Sequence, residues 1–139
     1  MKAMKPTLVT CLMLAVLACK DPNSFQPFDP TKPDPPAPPE LVYPSNGWVS
    51  DRFAYPQDVN SAWQQVPGAQ FYQIEVYRDS LLRSEYLKYS NPRVAQPPLT
   101  ASLPYYGSYY WRVRAVSRNW NNYTDWSSPF WFALPNPAR

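Results

Sequence analysis

A chain of 139 residues with nineteen prolines, three glycines and no histidine has room for one modest domain and offers no side chain that titrates, unperturbed, near neutral pH. Its formal charge of +3 falls to +1 beyond residue 18, where eleven Lys and Arg face ten Asp and Glu, so bulk electrostatics do not direct it to nucleic acid. Both cysteines, Cys11 and Cys19, lie near the N-terminus, leaving the rest without a disulfide or a thiol for metal binding or nucleophilic attack.

Lys2 and Lys5 precede an apolar run from Leu8 to Ala18. This run falls short of the ~20 residues needed to span ~30 Å of hydrocarbon, and it suits a cleaved signal peptide. It closes on Val16-Leu17-Ala18-Cys19, which resembles the lipobox of bacterial lipoproteins. The resemblance implies a signal peptide over 1–18 and a mature chain beginning at Cys19, its thiol carrying diacylglyceryl and its amine a fatty acyl group such as palmitate. One chain alone binds membranes marginally, at ~0.8 kcal/mol per buried methylene, whereas two or three hold durably. Cys11 follows Thr10 and would cut the apolar run in half, so it fits the pattern less well. Lys20 stands where the best-known sorting rule places aspartate for inner-membrane retention, which implies the outer membrane, on its periplasmic or its outer side. Lys20-Asp21 also bears a slight resemblance to a charged surface-export signal.

The segment 19–39 carries eight prolines (22, 27, 30, 33, 35, 36, 38 and 39) and cannot form a helix or a central strand. A disordered, extended and solvated tether is expected, with a reach of ~60 Å at ~3.1 Å per residue. Pro33-Asp34-Pro35-Pro36 has the spacing of a ligand for a proline-recognising groove, but an anchored domain needs a spacer in any case.

A domain is expected over 40–139. Glu40 to Pro44 makes a short first strand, stopped by the Ser45-Asn46-Gly47 turn. Val59, Ser61 and Trp63 alternate in a second strand, and Val66 to Ala69 forms a turn. Phe71 to Arg78 is a third strand, with Tyr72, Ile74 and Val76 on one face and Phe71, Gln73, Glu75 and Tyr77 on the other. Shorter strands follow at Arg83 to Tyr89 and Leu99 to Leu103. Tyr109, Trp111, Val113 and Ala115 then alternate with Tyr110, Arg112 and Arg114 in the clearest strand of the chain. A polar loop, Ser117 to Asp125, leads to a last strand near Ser128 to Leu134. No segment shows helical apolar spacing over ten residues, so the fold class is all-β: about seven short strands in a sandwich.

The order of these features resembles a fibronectin type III domain, an immunoglobulin-like sandwich, from about residue 36 to 134. Trp63 matches the core tryptophan of that family's second strand, and Val66-Pro67-Gly68-Ala69 with Tyr72, Ile74 and Val76 matches its third strand and the turn before it. Leu103, six residues before Tyr109, matches its tyrosine corner. Tyr109-x-Trp111-x-Val113-x-Ala115 matches the sixth strand, and Trp126-Ser127 with Phe132 the seventh. Pro104 beside the leucine and Pro97-Pro98 near the fifth strand depart from the pattern. The resemblance implies that Trp63, Tyr72, Ile74, Val76, Tyr109, Trp111, Val113 and Phe132 meet between two sheets ~10 Å apart, and that the Tyr109 hydroxyl bonds to backbone near Leu103.

Catalytic patterns are poor. There is no metal-ligand spacing, no phosphate-binding glycine loop and no Gly-x-Ser-x-Gly elbow, and Asp51, Asp58, Glu75, Asp79, Glu85 and Asp125 are scattered. No enzyme activity, cofactor or metal is expected. Two surfaces could bind a partner. One is the outward face of the third and sixth strands, including Tyr110, Arg112 and Arg114, which ordinary cross-strand pairing also explains. The other is the Arg118 to Thr124 loop, where Trp120 and Tyr123 either stack on a sugar ring or apolar patch, or fold back and seal the sandwich edge. Asn122-Tyr123-Thr124 and Asp79-Ser80-Leu81 resemble short glycosylation sequences. The chain is thus expected to be an envelope lipoprotein that presents one fibronectin type III-like domain to another envelope protein or a surface polysaccharide. The alternative is a spacer subunit of a polysaccharide-utilisation or secretion complex.

Overall fold

The computed structural model describes residues 25–138. The signal peptide expected over 1–18, the lipidation expected at Cys19 and the terminal Arg139 lie outside the described residues. Among the described residues eight strands form two sheets: β1 (Leu41–Tyr43), β2 (Trp48–Val49), β3 (Gln57–Trp63), β4 (Phe71–Tyr77), β5 (Leu87–Val94), β6 (Leu99–Leu103), β7 (Gly107–Val116) and β8 (Phe130–Leu134). The smaller sheet has the order β1-β3-β6, the larger β2-β8-β7-β4-β5. All pairings are antiparallel except β2 with β8.

Period-two alternation decides what lies between the sheets. Val59 and Trp63 from β3, Tyr72, Ile74 and Val76 from β4, Tyr109, Trp111, Val113 and Ala115 from β7, and Phe132 and Leu134 from β8 are all buried. Tyr109 stacks on Phe132, with ring centroids 5.5 Å apart, and Trp63 meets Tyr72 edge-on at 5.4 Å. Each such side chain contributes about 1.5–3 kcal/mol when withdrawn from water, so no covalent cross-link is needed. The Trp63 and Trp111 indole N–H groups lack hydrogen-bond partners, a cost of about 1–3 kcal/mol each set against the large area these rings bury.

The tyrosine corner is present. The Tyr109 hydroxyl donates to the Tyr105 carbonyl at 2.7 Å, which pins the turn between β6 and β7. Burial pushes the Tyr109 phenol above its ordinary value, against the opposing pull of Arg78, and burial also raises Tyr77 and Tyr55. A phenol held neutral in the fold stabilises fully below its unfolded pKa of about 10, and that contribution is lost as pH climbs through the raised folded value. Tyr109→Phe should therefore lower stability by about 1 kcal/mol or more at neutral pH and reduce the loss above pH 10. Urea midpoints at pH 7, 9 and 11 test this; a variant indistinguishable from wild type at all three would remove the corner from the account.

Three features differ from expectation. The strand count rises to eight because the chain switches sheets after Pro44. Gly47, at φ 86°, turns the backbone so that its N–H reaches the Trp131 carbonyl at 2.7 Å, and Trp48–Val49 then runs parallel to β8. The strand expected from Arg83 to Tyr89 begins as a 3-10 turn, Ser84–Tyr86, and only becomes extended at Leu87. Asp79 draws the turn in, bonding the Arg83 backbone N–H and guanidinium. Lastly, the proline-rich stretch is not free in solvent throughout: from Phe25 onward it lies along the loop after β7. Its prolines preclude regular structure, but contacts from Asp29, Lys32, Pro33 and Asp34 to Arg118 and Asn121 dock it.

Candidate functional site

The strand ends define two poles. At one, here called proximal, β3 ends at Trp63 and β7 ends at Val116, paired with Phe71 at the start of β4. The turns 64–70 and 95–98, the loop 117–125 and the strap 25–39 gather there. At the other, distal pole, Gln57 faces Leu103, Gly107 faces Leu134, and Tyr77 lies between Tyr110 and Leu87.

Of the two loop residues singled out in the sequence, Trp120 is a core residue. It is 7% exposed and joins the main hydrophobic cluster. Its indole lies over the Gly68 turn, where a Cβ on Gly68 would stand 3.5 Å from Cζ2. A binding role for Trp120 is therefore replaced by a sealing one, since a ring only 7% exposed within the core cluster offers no face to a ligand. Tyr123 is half-buried. The Arg114 guanidinium sits 3.8 Å above its ring, and Phe25 of the strap packs 4.4 Å away. The Thr124 hydroxyl accepts the Ala115 N–H at 2.9 Å and is buried, so the Asn122-Tyr123-Thr124 sequence is built into the fold.

Arg112 and Arg114 belong to the same ladder. Register places Glu75 opposite Arg112 and Gln73 opposite Arg114. Arg112 bonds Glu75 at 3.0 Å and Arg114 bonds Gln73 at 2.7 Å. Both guanidinium groups stack on Trp126, at 4.2 and 4.4 Å, and Arg112 also covers Tyr77. Tyr77 faces outward by register yet is buried beneath this cover, its hydroxyl donating to Glu75. The run Tyr77, Arg112, Trp126, Arg114, Tyr123 thus alternates ring and cation across the sheet, with Phe25 packed on its end; Arg112 is ion-paired with Glu75 and Arg114 is hydrogen-bonded to the neutral Gln73. Burial lowers the Arg114 pKa from its ordinary value, as expected for a guanidinium under two rings.

Several aromatic residues are exposed toward the distal pole. Tyr110 is half-exposed, paired with Trp131 on one side and Tyr77 on the other. Trp131 is 39% exposed, Tyr105 62% and Tyr106 48%, and Phe53, Leu81, Tyr86 and Leu87 are also exposed at this end. Trp131 was legible in the sequence: with Phe132 and Leu134 facing inward, alternation turns Trp131 outward. Tyr105 and Tyr106 carried no such signal, because turn residues have no period. Among the described residues no group of three or more Asp, Glu, Cys or His is placed to hold a metal. Asp79 pairs with Arg83 and Glu75 with Arg112, while Asp51, Asp58, Glu85 and Asp125 are solvated.

Three strands facing five, with a tyrosine corner between β6 and β7, make a fibronectin type III-like sandwich. The fold is shown by its strand order. Solved structures similar to this chain include a Fn3-like protein from Clostridium thermocellum, 21% identical over 74% of this chain and 97% of that one, with a TM-score of 0.48. They also include FN3tt, 12% identical over 73% and 99% with a TM-score of 0.43, and the fn3 domain of human collagen alpha-1(XX) chain, 19% identical over 76% and 88% with a TM-score of 0.42. No protein-family profile matches the sequence, and no curated protein does. At such identities nothing about ligands passes from those structures to this chain.

Proposed function

We propose that this chain is a non-catalytic interaction module of a bacterial cell envelope, held to the membrane, in the first instance the outer membrane, by a lipidated Cys19. Its partner is an envelope protein or a surface polysaccharide, and it engages that partner through the distal pole. One observation carries this reading: Tyr105, Tyr106, Tyr86 and Phe53 are exposed in the distal turns, and Trp131 is exposed on the outward face of β8 in the distal half of the sheet. Rings left in water forgo the stabilisation of burial, and this many exposed toward one pole fits a surface covered in use. Tyrosine and tryptophan suit either partner class, because each presents an apolar face and a polar edge. The scattered or paired state of the carboxylates supports a binding role over a hydrolytic one.

The test is a pull-down from detergent-solubilised envelopes with the native lipidated chain and with Trp131→Ala/Tyr105→Ala, run beside a glycan array. Loss of about tenfold or more in the captured protein or glycan signal, at unchanged melting temperature, is expected. Retention of the wild-type profile would reassign the domain as a spacer, the accessory-subunit alternative.

A further inference from the structure

The strap changes how the domain can stand on a membrane. The Asp29 N–H donates to the Asn121 carbonyl at 3.0 Å, and the Asn121 N–H donates to the Pro33 carbonyl at 2.8 Å. The Asn121 side-chain amide bonds Asp34, the Lys32 ammonium reaches the Arg118 carbonyl at 2.7 Å, and Phe25 packs on Tyr123. These contacts join positions more than eighty residues apart, so the chain is fastened to the proximal pole from Phe25 onward.

Only five residues then separate Cys19 from the fastened segment. At ~3.3–3.6 Å per residue, the six steps from Cys19 to Phe25 reach no further than about 20 Å. The ten residues of β7 alone extend about 33 Å. An anchor at Cys19 is therefore too close for the distal pole to be the end that rests on the lipid. At the proximal pole Phe28 stands at the apex of the strap turn, 80% exposed and at φ 61°. Arg118, also exposed at that pole, offers a cation to phosphate headgroups.

We infer that the proximal pole is a bilayer-facing surface, with Phe28 entering the headgroup boundary and the aromatic distal pole held outward. The inference rests on lipidation of Cys19. The bilayer suits this surface because an apolar ring at a turn apex beside an exposed arginine matches the layering of acyl chain and phosphate.

The mature lipidated chain has no free thiol, so Phe28→Cys and Phe53→Cys each accept a single environment-sensitive fluorophore. Both are reconstituted in vesicles of phosphatidylethanolamine and phosphatidylglycerol containing nitroxide-labelled lipid. Flotation with the vesicles is read first, and a native chain that does not float overturns the anchor and this inference with it. For a chain that floats, quenching at position 28 should exceed that at 53 at least threefold. Equal quenching, or stronger quenching at 53, overturns the orientation while leaving the anchor standing. Asn121→Ala/Tyr123→Ala, which loosens the strap, should narrow the difference without loss of flotation; an unchanged ratio would show that the strap does not set the orientation.

Discussion

Trp120→Ala is expected to lower the free energy of unfolding by about 3–5 kcal/mol, the range for truncating a large buried aromatic. The ring closes the proximal end of the core over the Gly68 turn, so its removal leaves a cavity there. Urea denaturation followed by far-ultraviolet circular dichroism measures the loss. A binding residue would behave oppositely, with the midpoint unchanged and partner capture lost. A shift below about 1 kcal/mol would return Trp120 to the list of recognition residues.

Trp126→Ala should cost about 2–3 kcal/mol, though Trp126 is only half-buried. Two cation–π contacts are removed at once, each worth about 0.5–1 kcal/mol at an exposed site and more where water is partly excluded, together with the apolar area of the ring. Arg112 and Arg114 would keep Glu75 and Gln73 but lose the plate between them. Because Tyr123 and Phe25 stack on the end of the same ladder, the strap should loosen too. Hydrogen exchange at the Asn121 amide, which bonds the Pro33 carbonyl, should rise in this variant. Trp126→Phe should recover part of the loss; no loss in either variant would make the ladder ornament on a stable sheet.

Much of the core was readable one strand at a time. In β7, alternating residues had to face alternate sides, and the apolar set from Tyr109 to Ala115 could only face inward. The same reasoning placed Trp63, Tyr72, Ile74, Val76 and Phe132, all of which are buried. Alternation also turns Tyr110, Arg112 and Arg114 outward, but it does not say what they touch there. Trp126 comes from a stretch without periodicity and slides between the two arginines only because Thr124 and Ser127 hold that stretch alongside β7. The two-residue β2 has no local signature for a related reason. Its pairing is parallel, and it depends on a sheet switch that no local pattern records.

The sequence by itself determined an all-β sandwich with an amphipathic β7 at its centre and a chain whose folded part needs no disulfide, while the tyrosine corner was implied only by the resemblance to fibronectin type III domains. These follow from local rules, since side-chain direction in a strand is set by the pleat and turn position by glycine and proline. Tertiary structure alone decided that Trp120 belongs to the core, that Arg112 and Arg114 are spent on a ladder, and that the strap is fastened to the proximal pole. Each depends on contacts between segments far apart in the chain: Gly68 with Trp120, Glu75 with Arg112, Lys32 with Arg118. A loop residue's fate is set by the space and hydrogen-bond partners the rest of the fold leaves beside it. That is why Trp120, a binding candidate by residue type alone, is a core residue in the fold.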